Sequence, residues 1–189
     1  VHMKLCKTLV IASAMSSLLM GRNEQKKEPE VQAKPAEQPV VSKSLVVFYS
    51  QNGTTKKVAE IFQKSRNADV FEIALATPYP STYDSTIAAV GAQRESKQWP
   101  ALLNAKADIA KYDTVFLGYP IMFGSFAPPI YSFLDSNDLS GKVVVPFCTY
   151  GSGGRKASAA ELKTLEPNAN VTLAYGISNK RVTAENGAE

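Results

Sequence analysis

Three short segments hold the residues whose types and spacing suit them to binding chemistry. Ser50-Gln51-Asn52-Gly53-Thr54-Thr55 follows an apolar run and precedes a helical pattern. At such a junction the first helical N–H groups lack partners, and the helix dipole favours an anion. Ser50, Thr54 and Thr55 add hydroxyls, Asn52 adds an amide, and Gly53 lets the backbone come close. That combination suits a terminal monophosphate. The second segment, Gly118-Tyr119-Pro120-Ile121-Met122-Phe123-Gly124, is apolar and aromatic. Such a loop needs something flat packed on it. The third, Thr149-Tyr150-Gly151-Ser152-Gly153-Gly154, adds an aromatic residue and glycines that let N–H groups approach a ligand. Each alone also reads as a capped turn or a plain loop. Together they describe a site for a planar ring with a phosphate at its far end.

The elements that must position these segments alternate between strand and helix. Leu45–Tyr49 is a continuous apolar strand, and Lys56–Ser65 repeats apolar residues at Val58, Ile61 and Phe62, one face of a helix. Val70–Ala74 reads as a second strand, Tyr83 to about Lys97 as a looser helix, and Thr114–Gly118 as a third strand. Pro129–Leu134 opens a helix, Val143–Cys148 is a fourth strand, Lys156–Leu165 a helix and Val171–Tyr175 a fifth strand. This alternation predicts an α/β fold, a doubly wound parallel sheet with helices on both faces. Ligands of such sheets sit beyond the carboxyl ends of the strands, where all three segments fall.

Several chemistries are excluded. The fingerprint G-x-G-x-x-G is absent after the first strand, as is a Walker loop, which disfavours a Rossmann-bound dinucleotide or a nucleoside triphosphate. A phosphoacceptor receiver needs acids where this chain has Tyr49-Ser50 and Gly118-Tyr119-Pro120. The only histidine is His2, so Ser-His-Asp and Cys-His catalysis are unavailable to residues 44–189. Cys6 and Cys148 offer neither a disulfide framework nor a paired-cysteine zinc site. Cys148 reads as packing, Lys56 and Lys57 as a solvated first turn, and Trp99 receives no role.

Charge separates the chain into parts. Residues 1–43 hold seven Lys/Arg against four Asp/Glu, whereas residues 44–189 hold fourteen against thirteen and are nearly neutral. A basic face for nucleic acid is therefore not expected. After Val1-His2, which reads as a cloning remnant, Met3 opens a basic start, a short apolar stretch and small residues. Residues 1–22 are read as a secretory signal. Leu19-Met20-Gly21 resembles a lipoprotein cleavage box, but Arg22 stands where the lipid-bearing cysteine belongs. Residues 23–43, rich in Glu, Gln, Lys and Pro, read as a disordered tether, and residues 44–189 as the folded domain. The expected location is the cell envelope or periplasm, with tethering to a membrane in view.

Leu45–Phe62, LVVFYSQNGTTKKVAEIF, resembles the first strand, phosphate loop and helix of flavodoxins. The stretches from Asp69 (DVFEIALATPYPSTYD) and from Tyr112 to Gly154 resemble the short bacterial members of that family. The resemblance implies a five-stranded sheet of order 2-1-3-4-5. It implies flavin mononucleotide (FMN) with its phosphate at Ser50, Asn52, Thr54 and Thr55, in the loop that also holds Gln51 and Gly53. The ring would lie between Pro120, Ile121, Met122, Phe123 and Gly124 on one side and Thr149, Tyr150, Gly151 and Gly154 on the other. The function implied is electron transfer with a redox partner protein or a small-molecule acceptor. An FMN-dependent NAD(P)H:quinone-type oxidoreductase and a flavin-less binding module remain as alternatives. Relatives usually carry tryptophan at the positions of Met122 or Phe123. The final helix is expected to be truncated or absent, leaving a face through which the chain would self-associate.

Overall fold

A computed structural model describes residues 43–184. The signal segment and all of the tether except Lys43 lie outside the described residues, as does the stretch after Ala184. In chain order the elements are β1 (Ser44–Phe48), α1 (Thr54–Arg66), β2 (Asp69–Glu72), α2 (Tyr83–Ser96), β3 (Thr114–Met122) and β4 (Ser125–Phe126). They continue with α3 (Pro129–Ser136), β5 (Val143–Tyr150), α4 (Arg155–Leu165), β6 (Asn170–Val171), β7 (Tyr175–Ser178) and α5 (Asn179–Ala184).

The fold is the flavodoxin-like α/β arrangement. The parallel path runs β2-β1-β3-β5-β6, with β4 folded back on β3 and β7 alongside β5, giving seven strands where five were expected. One of the two extra strands comes from splitting the fifth. The strand expected over Val171–Tyr175 straddles a break: β6 pairs Val171 with Val144, and β7 resumes pairing at Tyr175 with Phe147. Three residues, Thr172–Ala174, thus oppose only Val145 and Pro146. Pro146 has no N–H to give to a ladder, so pairing lapses beside it and the edge bulges outward at Leu173.

Alternation along the strands sorts the core into two layers. Leu45, Val47, Val115, Leu117, Tyr119, Val144 and Cys148 face α3 and α4, where Ile130, Phe133 and Leu162 meet them. Val46, Phe48, Phe116 and Phe147 face α1, where Val58 and Ala59 meet them. Because both sides are covered, the central strands are apolar throughout, which made them legible.

Over the described residues the last helix is short, as expected, but not absent. α5 is present through Ala184 and sets Val182 into the α1-side layer. Toward the starts of β1 and β3 that face keeps a groove of about 510 Å³ walled by Phe62, Phe116, Val145 and Tyr175. Among the described residues, no helix is long and apolar enough to cross a membrane.

Candidate functional site

Because β1, β3 and β5 run parallel and in register, their carboxyl ends deliver three segments to one rim. At the first, Gly53 takes φ +83° and starts α1 without capping it through a side chain. Loop residues serve the first turn instead. Lys56 N–H donates to Ser50 Oγ at 3.2 Å, and Thr54 N–H reaches Asn52 Oδ1 at 3.5 Å. No acidic residue stands in that turn, so the positive end of the helix is uncompensated from within. Thr55 is buried, and its Oγ1 lies 2.8 Å from Thr149 Oγ1, tying α1 to the end of β5. Lys56 is exposed and pairs with Glu72 at 2.8 Å; that hydrogen bond raises its pKa.

The second segment is not the open loop that the sequence suggested. β3 runs on through Met122, and Met122 pairs with Ser125 across a two-residue turn. Phe123 and Gly124 occupy it at φ +52° and +79°, the double left-handed pattern of a type I′ hairpin. Phe123 is the unusual member, since left-handed backbone costs a side chain with Cβ roughly 1–2 kcal/mol. Its side chain remains 56% exposed at the tip.

Three helices hold this hairpin. Ser125 Oγ donates to Glu161 Oε2 and Tyr131 OH donates to Glu161 Oε1, so one α4 carboxylate ties β4 to α3. Arg94 of α2 donates to the Phe126 carbonyl at 2.7 Å. Trp99 stacks flat on Tyr131, with centroids 4.0 Å apart and planes at 9°. At Gly154, a Cβ would lie 2.6 Å from Ile121 Cγ2 and 2.7 Å from the Gly124 oxygen. Only glycine permits the glycine-rich segment to meet the hairpin so closely.

These segments enclose a cavity of about 800 Å³. Of the sequence-predicted site residues, Gln51, Asn52, Pro120–Gly124, Thr149, Gly151 and Gly154 line it. Ser50, Gly53, Thr54, Thr55 and Tyr150 are not among its lining residues. Tyr150 instead lies over Gly176 of β7, where a Cβ would meet its ring at 2.9 Å. Ser152 and Gly153 of the third segment line the cavity too, but the sequence reading missed a whole wall, formed by Ser81 and by Tyr83, Thr86 and Ile87 of α2, along with Asn179. The signal was available for α2: it follows β2, so its start falls on the same rim, behind a Thr82 cap. Glu161 and Arg94 carried no such signal.

Among the described residues, no Asp, Glu, His, Lys, Arg or Cys lines the cavity. Burial raises the pKa values of the nearby Tyr49 and Tyr119 and pushes the Cys148 thiol up to about 11. Among the described residues, no cluster of His, Cys, Asp or Glu could hold a metal. Hydroxyls, amides and apolar surface suit this cavity to binding and orienting a ligand.

Comparison with known proteins agrees with the fold. The sequence pattern of the family described as Flavodoxin matches residues 43–188. A Bacteroides eggerthii protein described as a flavoprotein is 32% identical; the match covers 76% of this chain and 95% of that one, at a TM-score of 0.67. A flavoprotein of Lactobacillus acidophilus, solved in complex with FMN, is 22% identical over 76% of this chain and 97% of its own, at a TM-score of 0.62. Among curated proteins, NAD(P)H dehydrogenase (quinone) 3 of Rhizobium meliloti is 28% identical over 127 residues, 62% of this chain. The chain spans 58% of the length of that relative.

Proposed function

The chain belongs to the flavodoxin family, and from that premise we propose that its domain binds FMN and serves as an electron-transfer protein of the cell envelope. The observation that carries this reading is the convergence of three rim segments on one cavity whose lining has neutral polar groups and apolar surface but no acid, base or metal ligand besides Tyr83. A site of that composition suits a cofactor that brings its own chemistry.

The residues fit the group. The Gln51 and Asn52 amides that line the cavity, with the hydroxyls of Ser50, Thr54 and Thr55 behind them and the start of α1 free of acidic residues, would hold the phosphate, as helix N-termini hold anions. Ile121, Met122 and Phe123 offer apolar contact to one side of the ring, while the glycines of 151–154 bring N–H groups near its edge. The bound flavin supplies reversible electron uptake and release. The protein's own residues bind it, orient it and limit water at its face. The complex of the Lactobacillus protein with FMN supports this choice of cofactor. The signal-like and tether-like patterns of residues 1–43 support an exported location.

A second reading, an NAD(P)H:quinone-type enzyme, is favoured by the α2 wall. Tyr83, Thr86 and Ile87 add an aromatic and apolar wall to the cavity, of a kind that suits a second flat molecule. The likeness to the quinone dehydrogenase of Rhizobium meliloti points the same way. Oxidation of NADH and NADPH by flavin-loaded protein, with menadione as acceptor, separates the two. A carrier shows turnover far below an ordinary enzyme's rate of about 10 s⁻¹; turnover near that rate makes the enzyme reading the correct one.

A further inference from the structure

On the far side of the glycine-rich segment, α4 and the bulge between β6 and β7 form a second groove, of about 410 Å³. Arg155, Lys156 and Lys163 line it, with Ala159 and Ala160 as floor and Leu173 at the lip. None of its lining residues is acidic, and none of the three cations makes an ion pair among the described residues. Leu173 is 85% exposed, the most exposed of the large apolar side chains. We propose that this groove is the docking surface for an acidic protein partner, one that presents carboxylates around an apolar side chain.

Four observations carry the inference. The first is charge complementarity: three unpaired cations around small apolar residues fit carboxylates and a single apolar anchor. The second is their placement. Arg155 and Lys156 occupy the first turn of α4, where the helix dipole opposes cations, and no acid stands there to offset them. The fold therefore keeps two charges at positions that cost it stability. The third is that Arg155 is laid down rather than free. A Cβ on Gly176 would meet Arg155 Cδ at 2.6 Å, so the stem rests on β7 where the strand has no side chain.

The fourth is position. Arg155 and Lys156 directly follow Gly153 and Gly154, which line the main cavity. A partner seated here would lie beside the proposed flavin. Its role as a redox partner rests on the flavin reading; the groove itself does not. Concavity favours an inserted segment over a flat bilayer. The near-neutral net charge of residues 44–189 is no obstacle, since docking responds to local potential.

The test is an amide-resolved NMR titration of the full chain with a peptide of glutamates flanking one leucine, and with its glutamine counterpart. The expected result is shifts confined to the Arg155–Lys163 face and Thr172–Ala174. These shifts should vanish at about 0.5 M salt, where screening is short-ranged, and be absent with the glutamine peptide. A Lys156→Glu/Lys163→Glu variant should weaken the interaction at least about fivefold, as expected when two rim charges are reversed. Its FMN affinity should be unchanged. Shifts centred on Lys56, Lys57 and Lys64, or equal shifts with the glutamine peptide, overturn the proposal. So does capture by phosphatidylserine vesicles that the same variant abolishes while the peptide produces no shifts. Failure of FMN to bind wild-type protein would remove the flavin reading but leave this titration fully interpretable.

Discussion

At the scale of single residues, Phe123 shows a local preference overruled by a site. Type I′ turns favour asparagine followed by glycine, and Gly124 already fills the second place. Phenylalanine in the first place holds left-handed backbone while exposing an aromatic ring at the mouth of the cavity. Strain retained at such a point is accounted for if the ring packs on a ligand. Phe123→Asn should therefore raise the ligand-free domain's stability by about 1 kcal/mol and weaken FMN binding by about 1–2 kcal/mol. Urea denaturation and flavin titration of the same variant read the two effects. This residue also explains why the hairpin was illegible: nothing about phenylalanine announces a turn. Cys148, by contrast, was read as the structure has it, as buried packing; Gly53 is set apart by its left-handed backbone, φ +83°, with open space where a Cβ would stand.

At the scale of elements, legibility followed periodicity. β1, β3 and β5 were plain because strands covered on both faces are apolar throughout, and α1 because its apolar residues repeat on one face. α2 buries only Thr86 and Val90, so its pattern was faint, and the cavity wall it provides went unread. The fifth strand was misplaced because the cause of its break, Pro146, sits on the neighbouring strand. The clamp on the hairpin was invisible for a related reason: Glu161, Ser125, Tyr131 and Arg94 meet only through tertiary structure. Removing that carboxylate leaves two hydroxyls without their acceptor. Glu161→Ala should cost about 1–3 kcal/mol of stability and loosen the hairpin, weakening FMN binding. Glu161→Gln retains one acceptor and should lie between the two. Thermal melts and flavin titrations of both variants check the order.

At the scale of the whole molecule, burial of ionisable groups predicts a limit to stability in alkali. Cys148 is raised from 9.0 to about 11 and Tyr79 from 10.0 to about 12, both by burial. A raised pKa means that the folded state holds its proton more tightly than the unfolded chain. The associated stability is complete below pH 9 and is lost progressively as pH rises through about 11 to 12. Urea midpoints should be flat from pH 7 to about 8.5 and fall above that. Cys148→Ala should delay the onset of the fall and leave the later tyrosine part in place.

The central claim concerns what the rim segments hold together. Its most direct test is a titration of flavin-free protein with FMN, FAD and riboflavin, followed by quenching of flavin fluorescence. The account predicts one-to-one binding of FMN, at least about tenfold tighter than riboflavin, a difference of about 1.4 kcal/mol or more from the phosphate at the start of α1. Riboflavin binding as tightly as FMN, or no flavin binding at all, would contradict it.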